Sequence, residues 1–177
     1  ITLTGYMGSG EILILGNGDY PENVVIAGQI SALRCSVGYI ELYGMETTNT
    51  GDYGIYLAYC SSYFTIAYVL CDTTDANYEG LYAIGCSTVK ITSSTFSNRW
   101  IGISAIDGTT VISADNDGAN NDIGLYAKGS TIMKYSTQPG GTTNEIAVSG
   151  GQILSSRLAE RDEDAVEGNL AEFDADG

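Results

Sequence analysis

One phrase recurs along this chain at a nearly fixed interval. It opens at Gly54 (GIYLAYCSS), Gly80 (GLYAIGCST), Gly102 (GISAIDGTT) and Gly124 (GLYAKGST), and a looser copy opens at Gln29 (QISALRCSV). Successive starts lie 25, 26, 22 and 22 residues apart. A repeat of this length predicts a solenoid, in which one supersecondary unit stacks on the next and buries a shared core. Within each copy the residues alternate apolar and polar, as in Ile55-Tyr56-Leu57 and Leu81-Tyr82-Ala83. Period two is the strand period. A second β-rich piece follows each copy: 39–45, 64–70, 89–92, 110–113 and 132–135. Thr, Val, Ile and Tyr dominate these pieces.

Two or three short strands in 22 to 26 residues fit one coil of a parallel β-helix. The expected fold class is therefore all-β: a right-handed single-stranded parallel β-helix over residues 1–155, followed by an acidic linker over residues 156–177. Leucine-rich repeats share the length but need a leucine pattern and a helix, and neither is present. Inward positions should stack like on like. Ile30, Ile55, Leu81, Ile103 and Leu125 form one expected column. Cys35, Cys60 and Cys86 form another, continued by Gly108 and Gly129. The longer early spacings mark insertions, which in solenoids bulge from one face. The pieces 11–15 and 24–27 read as the first coils, and 145–154 as a last strand pair.

Charge narrows the function. The net charge is −15, with seven Lys and Arg in 177 residues. That excludes a nucleic-acid partner, which needs many phosphates neutralised. Eight of the 22 acids fall between Leu158 and Gly177, the signature of a solvated tail. No apolar run reaches eighteen residues, so no membrane-inserted helix is expected. The first residue is Ile1 with no signal segment after it, and the chain reads as a fragment or processed product of something longer. Histidine is absent and the four cysteines show no CxxC pair, which disfavours zinc and rules out a Ser-His-Asp triad. Stacked reduced thiols, folded in a cytosol, are expected in preference to disulfides.

Three residue sets are candidates for chemistry. Tyr56, Tyr82 and Tyr126 share one outward position and form a ladder interrupted by Ser104, and Trp100 closes a neighbouring coil. Such rows either grip sugar rings or pack between subunits, and both readings stand. Six acids could serve a glycosidase, which needs two carboxylates about 5 to 9.5 Å apart: Glu41, Glu46, Asp72, Asp75, Glu79 and Asp107. Solvated loop acids are the plain alternative. Lys90, Arg99 and Lys128 are too sparse for a lyase. Asp115, Asp117 and Asp122 resemble part of a calcium loop, but the twelve-residue pattern and its closing glutamate are missing, and an Asx-rich turn accounts for them. No cofactor is expected.

The ending Ala165–Gly177 (AVEGNLAEFDADG) resembles a segment of bacteriophage tail fibres and tail spikes, of the form GN-[ILV]-A-x-[FL]-[DN]-x-x-G. The repeats before it are similar to the β-helix shafts of those proteins. The resemblance implies a virion tail component assembled in the host cytoplasm, a homotrimer, and a cell-surface polysaccharide as partner. Some members only bind that glycan and others depolymerise it. This chain is shorter than the enzymatic spikes. A cellular surface adhesin on the same solenoid is the remaining option.

Overall fold

The computed structural model describes residues 1–48, 52–72 and 77–155. The expected linker at 156–177, with the tail-fibre-like ending, lies outside the described residues. Two parallel sheets face each other across a common core. The first runs in the order β1 (Thr2–Thr4), β4 (Ile30–Leu33), β6 (Ile55–Ala58), β8 (Leu81–Ile84), β11 (Ile101–Ile106), β13 (Asn121–Lys128), β15 (Gly141–Val148). The second runs in the order β2 (Glu11–Leu15), β5 (Tyr39–Thr47), β7 (Tyr63–Asp72), β9 (Thr88–Thr92), β12 (Thr110–Ala114), β14 (Thr131–Tyr135), β16 (Gln152–Ser155). Two short strands extend the second sheet: β3 (Val25–Ile26) on β5 and β10 (Thr95–Ser97) on β7. Alternation between sheets with parallel pairing throughout defines a parallel β-solenoid. A single 3₁₀ turn at Pro21–Asn23 is the helical element among the described residues.

Register follows the repeat. Leu81 pairs with Ile55 on one side and Ile103 on the other, and Ile30 and Leu125 extend the column. All five side chains are at most 1 % exposed. Phe64, Ile66, Val89, Ile91, Val111 and Ile132 fill the core from the second sheet.

The opening glycines have a steric cause. A Cβ on Gly54, Gly80 or Gly102 would lie 2.8 Å from the carbonyl oxygen of the equivalent glycine one coil on. On Gly124 it would lie 2.2 Å from the Pro139 carbonyl oxygen. Those carbonyls are in use: Ile30 N–H donates to Gly54 O at 3.0 Å and Ile55 N–H to Gly80 O at 2.8 Å. Only a residue without a side chain lets the coils close to hydrogen-bonding distance there.

The cysteine column is present, and its continuation corrects the expectation. Thr109 and Ser130 succeed Cys86, not Gly108 and Gly129. Cys35 N–H reaches Cys60 Sγ at 3.3 Å, Cys86 N–H reaches Thr109 Oγ1 at 3.1 Å, and Thr109 N–H reaches Ser130 Oγ at 3.1 Å. Each column member thus accepts from the backbone of the coil before it, which a glycine cannot do. Gly108 (φ 83°) and Gly129 (φ 58°) instead take the left-handed turn just before the column, where Arg34, Tyr59 and Gly85 also sit at positive φ. All four thiols are free and buried. Full burial pushes Cys71 up to about 11.

A third line of contacts was not read from the sequence. Asn116 and Asn121 sit inside the corner, 0 % and 2 % exposed. Asn116 Oδ1 accepts from Ser94 N–H at 3.0 Å, and its Nδ2 donates to Ile91 O and Ser113 Oγ. Asn121 Oδ1 accepts from Arg99 N–H at 3.0 Å, and its Nδ2 donates to Phe96 O and Gly140 O. Backbone groups that the turning chain leaves unpaired are satisfied by these amides.

Two outcomes follow from this packing. Gly80→Ala forces a Cβ onto Gly102 O and the Phe96 ring, and should lower unfolding free energy by about 1–3 kcal/mol, read from denaturant titration. Cys35, Cys60, Cys71 and Cys86 should all resist a thiol reagent near pH 8 in the native state and react together on unfolding.

Candidate functional site

The outward face of the first sheet carries the aromatic residues into one place. Tyr56 on β6 and Tyr82 on β8 are register partners, and their rings stack at 5.6 Å with planes 10° apart. Tyr53 and Tyr78 come from the segments that precede these strands, where the repeat is three or four residues longer than later in the chain. Tyr53 packs on Tyr56 at 5.2 Å, on Tyr82 at 4.8 Å and edge-on to Tyr78 at 5.7 Å. Tyr53 directly precedes Gly54 as Glu79, Ile101 and Ile123 precede their glycines, and Tyr78 matches Trp100 one coil on, so both rings reach the ladder from regular coil positions.

Beside this cluster runs a groove of about 410 Å³. Tyr53, Tyr78, Tyr82, Trp100 and Tyr126 line it, with Ile101, Ile106 and Ile123 among the apolar contributors. Glu79, Asn77 and Lys128 supply its polar groups. Trp100 is 45 % exposed, so its ring is offered to solvent rather than stored in the core. Large planar apolar surfaces with hydroxyl and charged groups nearby suit a ligand with apolar faces and polar edges.

Electrostatics add a buried acid. Glu79 is 5 % exposed, and burial raises its carboxyl above the usual carboxylate range. Burial, then the neighbouring Tyr53 and Glu79, pushes the Tyr82 phenol up to about 12. Tyr82 accordingly remains a neutral hydrogen-bond donor at physiological pH.

The predicted residues divide. Tyr82, Tyr126 and Trp100 meet at the groove, and Tyr56 backs it. Among the five candidate acids within the described residues, Glu79 alone lines it. Glu41 and Glu46 lie on β5 of the opposite sheet. Asp72 ends β7 and accepts from Asn98 Nδ2 at 2.6 Å. Asp107 holds a left-handed turn at φ 51°. Asp75 lies outside the described residues. Asp115 and Asp117 are exposed, and Asp117 Oδ1 caps its own turn by accepting from Gly118 N–H at 2.7 Å. Asp122 is exposed at the start of β13. Among the described residues no three such side chains converge as a metal site. Of the basic residues weighed for a lyase, Arg99 is inside the coil, 0 % exposed, with Nη1 donating to Asp52 O at 3.4 Å. Lys90 projects from β9 on the opposite sheet. A second cavity of about 440 Å³ at the last coils holds the Lys134–Glu145 ion pair and no aromatic ring.

Tyr53 and Ser104 were the omissions of sequence reasoning. Tyr53 stands directly before Gly54, where the later copies carry Glu79, Ile101 and Ile123, so no shared letter marks the position. Ser104 registered only as a break in the ladder.

The coils and their parallel register place the molecule in the class of β-solenoids. Residues 29–152 match the family described as right handed beta helix region, and the chain belongs to that family. No curated protein and no solved structure matches it.

Glu79 gives the site a pH signature. With its native pKa raised, the folded chain keeps a proton that the unfolded chain has lost, over the interval between about 4.3 and the native value. Unfolding then releases that proton, so stability falls as pH rises through this interval and stays lower above it. Glu79→Gln should remove this slope. Melting temperatures taken near pH 4 and near pH 7.5 should shift in the variant's favour at the higher pH, and an equal difference at both would refute the assignment.

Proposed function

We propose that this chain is shaft material of a bacteriophage tail fibre or tail spike, and that its aromatic groove holds a bacterial cell-surface glycan. The observation that carries the reading is the convergence of five aromatic side chains on one groove of an otherwise regular wall. A parallel solenoid is stiff along its axis, because every coil is bonded to two neighbours. It therefore suits a part that must hold a receptor surface away from a particle. The tail-fibre-like ending supports the viral setting, and four free buried thiols are compatible with assembly in a reducing cytoplasm before release in the virion.

The same reading assigns the chain to a homotrimer. Leu13, Leu15 and Leu154 are 49 %, 60 % and 47 % exposed on the outward side of the second sheet. Association about one axis would cover that side while the groove, on the first sheet, stays open. Adhesion is favoured over depolymerisation because Glu79 is the single carboxyl among the described residues that line the groove, and hydrolysis needs two.

Three measurements test this. Sedimentation should give a trimer, and a monomer at micromolar concentration would remove that part. On an array of bacterial surface polysaccharides the chain should bind a subset, with Trp100→Ala or Tyr126→Ala weakening binding about tenfold. Equal binding by the aromatic variants would reject the groove. Incubation with the bound polysaccharide should leave its size distribution unchanged, and shortening would transfer the chain to the depolymerases.

A further inference from the structure

The outward column of the first sheet reads Tyr56, Tyr82, Ser104, Tyr126 on four successive coils. Where two tyrosines are adjacent, one rung lays one ring on the next. At Ser104 the ring is left out. Tyr82 and Tyr126 are thus two rungs apart, about 9.6 Å of backbone. A ring seated face to face needs about 3.5–4 Å to each neighbour, so the interval admits one ring and excludes two.

The base of the interval is polar and unsatisfied. Ser104 is 0 % exposed, although its position in β11 points outward with Tyr82 and Tyr126. Its Oγ has no hydrogen-bond partner. A buried hydroxyl left unpaired is destabilising, and a ligand group that bonds it recovers that loss. Along the strand the groove is bounded by Ile101 and Ile123 on one side and by Ile106 on the other. Tyr82 is held from behind by Tyr56 and Tyr53. Tyr126 makes no ring contact among the described residues. Tyr82 is therefore the braced wall, and because Ser104 is covered as the rings stand, a guest reaches it only when Tyr126, which lacks that bracing, turns aside.

We propose that the missing rung at Ser104 seats one neutral pyranose ring, stacked between Tyr82 and Tyr126 with a sugar hydroxyl bonded to Ser104 Oγ. This deepens the glycan reading above and rests on it. Once Tyr126 has turned aside, walls on the other sides leave only the outward direction for entry, so the ring must project from its chain. The recognised unit is a terminal or branch sugar, not an interior residue of a linear strand. A net charge of −15 opposes polyanionic glycans, so the seated ring carries no carboxylate.

The test uses the whole chain and a polysaccharide that it binds. Ser104→Tyr fills the rung with the ring that neighbouring coils carry, and should fold normally while losing binding at least tenfold. Ser104→Ala, which keeps the space and deletes the hydroxyl, should lose about three- to tenfold. Methyl glycosides of glucose, galactose, mannose, N-acetylglucosamine and rhamnose, tried singly, should include one that competes. A folded Ser104→Tyr that binds as well as the natural chain overturns the seat and leaves glycan binding standing. If Ser104→Tyr does not fold, unchanged binding by Ser104→Ala together with no competition by any methyl glycoside overturns it equally. Absence of polysaccharide binding by the natural chain removes the parent reading itself.

Discussion

Close contact between successive coils, backbone to backbone, is the condition on which everything else in this molecule rests. Gly54, Gly80 and Gly102 meet the next coil with no room for a methyl group. The hydrogen bonds that this approach permits fix the axial rise, and the rise fixes which side chains share a column. Apolar columns then fill the interior without further instruction. Leu81 between Ile55 and Ile103 is a consequence of spacing before it is a matter of packing. The polar interior obeys the same geometry. Cys60, Thr109 and Ser130 accept backbone protons from the coil before them because each coil presents the same donor at the same height.

The groove is a departure from that regularity, and the departures are local. Tyr53 and Tyr78, on the residues that lead into β6 and β8, add rings beside the ladder. One later coil substitutes serine for tyrosine. Glu79 is drawn into the wall and keeps its proton to a higher pH than a free carboxyl. The core beneath carries none of this variation, since Ile103 and Ala105 flank Ser104 and point inward as their equivalents do.

How far the fold was legible follows from what repeats. Strand positions, the apolar column and the outward ladder recur in sequence and were readable from it. The continuation of the cysteine column was misread at Gly108 and Gly129, because aligned letters do not reveal which residue turns and which accepts a hydrogen bond. The amides of Asn116 and Asn121 were hidden for a related reason. Each occurs at a corner of its own coil, and its partners are carbonyls, which leave no mark in composition. The groove was half legible: Tyr82, Tyr126 and Trp100 could be named, but that the Tyr53 ring lies against Tyr56 and Tyr82 depends on tertiary contacts that no local rule supplies.

The glycine contacts also set the step by which such a molecule can change length. Removing or adding a residue within a strand would set bulky residues against those carbonyls and shift the columns out of line, whereas the connections between strands already take up three or four extra residues. A full turn does neither, since each end of it is the same surface. Variation is thereby confined to whole turns, the connections between strands and outward letters. A wall built this way can acquire a different grip by rewriting a few exposed positions while its frame stays as it was.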